Sequence, residues 1–233
     1  MSRPRQKVEE SYIAFSDIMT CLMIIFLFIA ISYIMEVFSS TFIKDEMYNT
    51  ITKEMINELD KNNVKLDKDL SLKFFNNEQN KQDVLFQTGE PTMTDGFKLK
   101  IKKIWPKYQD IIIKDTFLNY ISEIRIEGHT DTLPPKNNNI SSYEYNLNLS
   151  SLRAQEVLKY IRTLPCYTNL VNTKKARLQF LMTANGMSYS RALNDLNQVS
   201  YLSKQKDINA QKSRRVEFRI VTTNQKLINS LIK

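Results

Sequence analysis

The sequence has a single histidine, His129, and only two cysteines, Cys21 and Cys166, set far apart. Structural zinc needs a Cys/His cluster and is effectively excluded, and no internal disulfide is expected. No Ser/His/Asp set, carboxylate dyad or glycine-rich phosphate loop is present. No enzymatic activity, metal or cofactor is therefore expected, and His129 is read as a rigidly placed strand-end residue rather than a catalyst. Charge is not gathered into a patch either. The net charge of +8 over 233 residues comes from Lys and Arg scattered among Asp and Glu. That pattern reads as solvated surface and not as a nucleic-acid footprint. Residues 39–83 contain neither Pro nor Gly.

One long apolar run is present. Residues 18–35 carry no charge over 18 positions, enough for a helix of roughly 27 Å against a hydrocarbon layer of ~30 Å. Arg3, Arg5 and Lys7 precede the run and Glu36 follows it. The positive-inside rule then predicts a cytoplasmic N-terminus with everything after about residue 38 outside. No small-residue cleavage site follows Met35, so a retained anchor is expected rather than a signal peptide. The predicted span covers residues 13–38, after a cytoplasmic tail of residues 1–12. Asp17 opens the run. A charged aspartate inside a bilayer costs about 2.5–3.5 kcal/mol on insertion scales, so such a residue usually faces a protein interior or a water path. Tyr12, Ile13, Ala14 and Phe15 extend the apolar character before it, and Ser16, Thr20 and Cys21 add small polar atoms. A carboxylate there can take up and release a proton or a sodium ion.

Beyond the span, Ile43, Met47, Ile51, Met55 and Leu59 recur every four residues, a helical stripe. Residues 39–81 are read as a helical linker, either a plain stalk or a plug-like segment, with residues 60–81 charge-rich and irregular. Residues 84–89 read as a short strand stopped by glycine. Thr94 or Asp95 can cap a helix with Phe97, Ile101, Ile104 and Trp105 on one face, interrupted at Pro106. A second apolar segment fills residues 111–121. Residues 124–127 alternate as a strand ending in Gly128-His129-Thr130-Asp131. Ser150 or Ser151 is a candidate cap for a helix bearing Ala154, Val157, Leu158, Ile161 and Leu164. Residues 178–182 read as a strand ending near Asn185-Gly186, and residues 216–220 as the last strand. Helices alternating with short strands predict an α/β (α+β) sandwich behind a single N-terminal transmembrane helix.

Two resemblances sharpen this reading. Ala14-Phe15-Ser16-Asp17-Ile18-Met19-Thr20, followed by Leu22, Met23 and a Phe-rich run, resembles the opening of the transmembrane helix of the MotB family. That family's ion-accepting aspartate maps onto Asp17, with H+ favoured over Na+ as the translocated ion. Gly128-His129-Thr130-Asp131, Tyr145-Asn146-Leu147-Asn148-Leu149-Ser150-Ser151-Leu152-Arg153-Ala154 and Ser213-Arg214-Arg215-Val216-Glu217 resemble the OmpA-like peptidoglycan-binding domain, over residues 82–223, with 224–233 as a tail. The resemblance implies that Asp131 and Arg153 hold the diaminopimelate of a stem peptide, and that Thr130, Tyr145, Asn146 and Leu149 complete the pocket. Diaminopimelate offers an ammonium to a carboxylate and a carboxylate to a guanidinium fork.

The chain departs from the family pattern at three places: a longer loop between Asp131 and Arg153, Ser213 in place of asparagine, and an insertion at residues 187–212. Taken together, the resemblances imply a homodimer enclosed by a multi-span, MotA-like A subunit in the bacterial inner membrane, with the C-terminal domain periplasmic. No direct nucleic-acid partner is implied. Two motor classes share this plan, the flagellar stator and the Zorya anti-phage defence complex. The short linker and the stretch at residues 180–189 resemble the Zorya class more. A passive membrane-tethered wall anchor is the third reading, one that has no use for Asp17.

Overall fold

The computed structural model describes residues 4–76, 84–135, 140–204 and 207–223. The expected C-terminal tail at 224–233 and Asn137-Asn138-Asn139 of the long loop lie outside the described residues. The chain divides into two compact units, Met1–Phe42 and Ile43–Lys233.

Helix α1 runs from Pro4 to Lys61. Within it, Phe15–Met35 is long and apolar enough to cross a membrane, 21 residues with a mean hydropathy of 2.6, and its large apolar side chains are exposed. A helix this apolar and exposed over that length among the described residues suits lipid, where each backbone polar group must bond within the helix. Thr20 Oγ1 bonds to the Ser16 carbonyl at 2.8 Å, one turn below.

The second unit begins with the last turns of α1. Met47, Ile51, Met55 and Leu59 are buried completely or nearly so and belong to its core. The four-residue stripe is therefore a packing face within this unit and not an isolated stalk. Glu54 to Lys114 (3.0 Å) and Glu58 to Lys107 (3.4 Å) flank it. The region expected to be irregular after Asp60 instead forms a hairpin of β1 (Val64–Leu66) and β2 (Ser71–Phe75). The compact unit thus reaches back from the expected start at residue 82 to Ile43.

Next come α2 (Asp95–Ile112), α3 (Asp115–Leu118) and β3 (Ile121–His129). They are followed by α4 (Ser142–Thr163), α5 (Pro165–Thr168), α6 (Asn172–Leu181) and β4 (Met182–Gly186). A 3-10 turn (Ser200–Leu202), α7 (Ala210–Ser213) and β5 (Arg215–Thr222) complete the unit. The sheet order is β1-β2-β5-β3-β4, with β3 and β4 parallel and the other pairs antiparallel. The α/β sandwich expected from the sequence is present.

Four local expectations are corrected. Residues 84–89 contribute only an isolated bridge, Phe86 to Met93. Pro106 does not interrupt α2. The carbonyl it leaves unpaired belongs to Lys102, on the exposed side where water can serve it. α4 starts at Ser142, capped by Ser141, whose Oγ accepts from Glu144 N (3.2 Å) and donates to Glu144 Oε2 (2.9 Å). Residues 178–181 end α6, and the strand begins only at Met182.

The core is aromatic where helices meet sheet. Phe218 of β5 lies 5.0 Å from Phe74 and 5.5 Å, edge to face, from Trp105. Trp105 Nε1 donates to Gln109 Oε1 (2.9 Å), and Gln109 Nε2 donates to the Cys166 carbonyl (2.8 Å), so these two buried side chains are paired. Gly128 lets α4 press onto the end of β3. A Cβ at that position would fall 2.2 Å from the Ser150 carbonyl oxygen, inside any tolerable contact. This close approach brings one face of α4 over the β3 terminus.

Candidate ligand-binding site

That face of α4 carries Asn146, Leu149 and Arg153, spaced three and four residues apart and so aligned on one side of the helix. Below it β3 ends in His129 and continues into Thr130 and Asp131. Between them lies a cavity of about 600 Å³. All six residues expected to form a pocket line it: Thr130, Asp131, Tyr145, Asn146, Leu149 and Arg153. Asp17 belongs to the other unit.

Asp131 is nearly buried, and its Oδ1 accepts from Leu133 N at 3.1 Å. Its Oδ2 accepts from Arg214 Nη1 at 2.5 Å. Asn146 Nδ2 donates to the carbonyls of Leu133 (2.8 Å) and Ser142 (2.9 Å), which ties the loop after Asp131 to α4. Thr130 N bonds to the Ser188 carbonyl (3.0 Å), so the insertion after β4 braces the strand end. The buried Thr130 Oγ1 has no partner among the described residues.

Arg153 is placed by backbone rather than by a carboxylate. Its Nε donates to the Glu90 carbonyl and its Nη2 to the Gln87 carbonyl, each at 3.0 Å, and its guanidinium lies 4.8 Å from the centre of the Phe86 ring. Burial pulls its pKa down to about 10, against the opposing fields of Tyr145 and Asp131. The guanidinium remains a cation at neutral pH, held in a fixed orientation at the cavity wall.

Behind the cavity a buried charge network joins β3 to β5. Glu127 stands directly opposite Glu217 in the register, a like-charge pair that is destabilising by itself. Guanidinium groups offset it. Arg215 Nε meets Glu217 Oε1 at 2.5 Å, and Arg219 reaches Glu217 Oε2 (3.2 Å) and Glu127 Oε1 (3.5 Å). Burial would raise the Glu217 carboxyl, but Arg215, His129 and Lys73 outweigh it and hold the group down at about 2. Burial likewise pushes Glu127 up, and His129 and Arg219 outweigh it, leaving Glu127 below the usual carboxylate range. His129 is pushed the other way, to about 4, by burial and by Arg215. It is therefore neutral at neutral pH. Glu127, His129 and Glu217 bring their polar atoms within 4.8 Å of one another, as metal ligands do. Both Glu217 oxygens are already taken by arginines, which makes the cluster a compensated salt-bridge network.

Sequence reasoning missed two features. The contact of Arg214 with Asp131 spans 83 positions in sequence, and the paired arginines of the late motif were the only signal for it. The carbonyls of Gln87 and Glu90 that hold Arg153 carry no side-chain signature at all.

No family model matches the chain. Among known proteins, the Zorya protein ZorB of Escherichia coli (Crooks strain) is 29% identical over 240 aligned residues, spanning 96% of this chain and 93% of that protein. The chain resembles ZorB along nearly its whole length. Among solved structures, a putative MotB-like protein from Desulfovibrio vulgaris is similar at 19% identity with a TM-score of 0.49, over 79% of this chain and 97% of that one. The cell wall anchor of the T6SS from Pseudomonas aeruginosa gives 17% and 0.42, over 74% and 96%. A periplasmic fragment of Helicobacter pylori MotB gives 17% and 0.42, over 70% and 90%. The alignment with ZorB runs through both units of this chain, the apolar helix as well as the sheet domain.

Proposed function

We propose that this chain is the wall-anchored B subunit of an ion-driven inner-membrane motor of the Zorya type. In this reading two copies stand side by side inside a ring of a multi-span A subunit, and Asp17 carries the ion. The N-terminus is cytoplasmic, and the sheet domain grips peptidoglycan from the periplasmic side. One observation carries the reading: a single chain combines an aspartate at the start of a lipid-compatible helix with a cavity that gathers Asp131, Arg153 and their four expected companions. The similarity to ZorB over both units favours the Zorya class over the flagellar stator. A passive anchor would leave Asp17 without a purpose.

The wall-binding half is tested with the full-length protein in detergent and isolated peptidoglycan sacculi. Asp131→Ala and Arg153→Ala are expected to weaken co-sedimentation by about tenfold to several hundredfold, since losing a charge-assisted partner costs a few kcal/mol. Each side chain also makes structural bonds, Asp131 to Leu133 N and Arg214, and Arg153 to the Gln87 and Glu90 carbonyls, so thermal melts accompany both variants. Undiminished sedimentation of both variants, with parent-like thermal melts, would rule out the cavity as the wall site.

A further inference from the structure

Two of the stretches in which this chain departs from the family pattern, the longer one between Asp131 and Arg153 and the insertion after β4, meet at a pair of tyrosines. Tyr143, in the first turn of α4, and Tyr189, in the insertion, pack edge to face with ring centres 5.5 Å apart and planes at 88°. The Tyr143 hydroxyl lies 3.4 Å from Ser190 Oγ. Bonds to neighbouring residues fix both rings relative to the cavity wall. Ser188, completely buried beside Tyr189, donates from Oγ to the Tyr143 carbonyl (3.1 Å) and from its N–H to Ser150 Oγ (3.0 Å). Its own carbonyl accepts from Thr130 N (3.0 Å). Ser142, beside Tyr143, donates to the Thr132 carbonyl (3.3 Å). Each ring thus stands next to a residue bonded to the strand end that walls the cavity, while both lie outside the cavity's lining. An edge-to-face contact covers one ring face of the four. Tyr143 keeps 44% of its surface exposed, and Tyr189 is part-buried.

We infer that the Tyr143–Tyr189 pair is a carbohydrate subsite, on which a sugar ring of the glycan strand lies while the stem peptide occupies the cavity. The inference rests on the wall-binding reading and deepens it. A pyranose has an apolar face of C–H bonds and a rim of hydroxyls. A tyrosine offers the complement, an apolar ring face with a polar tip. The exposed Ser190 adds a hydroxyl beside the rings to meet that rim. Size favours a sugar over a protein. A stable protein interface buries about 800 Å² on each partner, far more than two part-exposed rings offer, whereas one aromatic face covers one sugar ring. The rings are also held in advance by each other and by the Ser188 bonds, so little conformational freedom is lost when a ligand settles on them. In peptidoglycan the stem peptide is joined to the glycan. A peptide gripped by the cavity therefore brings its sugar to the neighbouring tyrosines at high effective concentration.

A pair of ligands separates the subsite from the cavity: the tripeptide L-Ala-γ-D-Glu-meso-diaminopimelate, and the same peptide carrying N-acetylmuramic acid on its amino end. Each is titrated by calorimetry into the full-length protein in detergent. The parent is expected to bind the sugar-bearing ligand about tenfold more tightly than the bare peptide, the upper end of what one aromatic contact contributes. Tyr143→Ala and Tyr189→Ala should cut that advantage to about twofold or less, with the bare peptide still bound at the parent's affinity. Tyr143→Phe keeps the ring and should keep most of the advantage. Tyr189→Leu keeps apolar bulk without an aromatic face and should lose it. Equal binding of the two ligands by the parent, or a parent-like advantage in the alanine variants, overturns the inference and leaves the wall-binding reading standing. If the alanine variants and Tyr189→Leu all lose the bare peptide as well, the tyrosines merely brace the cavity and the inference is wrong. Failure of the parent to bind either ligand overturns the wall-binding reading and this inference with it.

Discussion

If the proposed motor reading holds, Asp17→Asn is expected to abolish phage protection in cells that also express a Zorya-type multi-span A subunit, while the chain still enters the membrane at normal levels. The substitution preserves size and polarity but removes the carboxylate that would take up and release the ion. Insertion should become easier, since a central aspartate costs about 2.5–3.5 kcal/mol on insertion scales. Membrane fractionation and a plaque assay on the same cells report the two effects separately. Protection at the parent's level in a correctly inserted variant would leave the passive anchor as the better account. Asp17 lies one residue from Ser16, whose carbonyl accepts from Thr20 Oγ1. The aspartate therefore sits within a short polar stretch at the mouth of an otherwise apolar helix, which is where an ion path through a ring of partner helices could begin.

Glu217→Gln is expected to lower stability by about 3–5 kcal/mol, the usual result of breaking a buried ion pair from one side. Arg215 and Arg219 would keep their charges, with Glu127 left to answer both and Asp69 to answer Arg219. For a unit of this size the thermal midpoint should fall by about 10 °C, readable by circular dichroism. The same network sets a pH dependence. His129 has its folded pKa near 4, below its ordinary 6.5. The unfolded chain therefore binds the proton first, and stability declines as pH drops from 6.5 towards 4. Glu217, held near 2 against an ordinary 4.5, contributes stability that is present above pH 4.5 and is lost as pH falls through 2. The parent's midpoint should be level above about pH 7 and fall through both windows, the upper step alone amounting to a loss on the order of 3 kcal/mol. A midpoint unchanged between pH 7 and pH 4 would mean that His129 is not held neutral. In Glu217→Gln the decline below pH 4.5 should be shallower.

The apolar helix and the edges of β3 and β5 were legible because each is a strong local pattern: an uncharged run, and alternation that ends at Gly128 or begins after Arg215. The six cavity residues were legible as a set because a motif fixed their order, and the fold then closed them around one space. Where reading failed, a long-range partner had overridden the local signal. The hairpin at residues 64–75 does alternate, with Val64, Leu66, Leu70, Leu72 and Phe74 turned to the core or its margin. Its lysines hid the pattern, although Lys73 is answered by Asp67 (2.6 Å) and lies 3.9 Å from Glu217. Ser150 looked like a cap because serine before an apolar run usually is one. In fact it sits inside α4, where its Oγ accepts from Ser188 N (3.0 Å) and its backbone meets Gly128. Residues 178–182 offered apolar side chains without a clear period. Only Leu178 is buried on α6, and Phe180 points to solvent with 88% of its surface exposed. The Asp131–Arg214 pair could not be read from either neighbourhood, since the paired arginines of the late motif mark Arg214 without naming Asp131 as its partner.

The place where the core begins decides how the molecule can be cut. A fragment starting near residue 80, where the motif resemblance begins, would discard Met47, Ile51, Met55 and Leu59 together with β1 and β2. It would turn β5 into a raw edge, take Phe74 away from Phe218, and remove Lys73 from the vicinity of Glu217. Such a piece is expected to come out of the cell insoluble. A fragment that starts ahead of Ile43 and behind the apolar run keeps every strand of the sheet and the whole buried stripe, and is expected to be the soluble form of the domain.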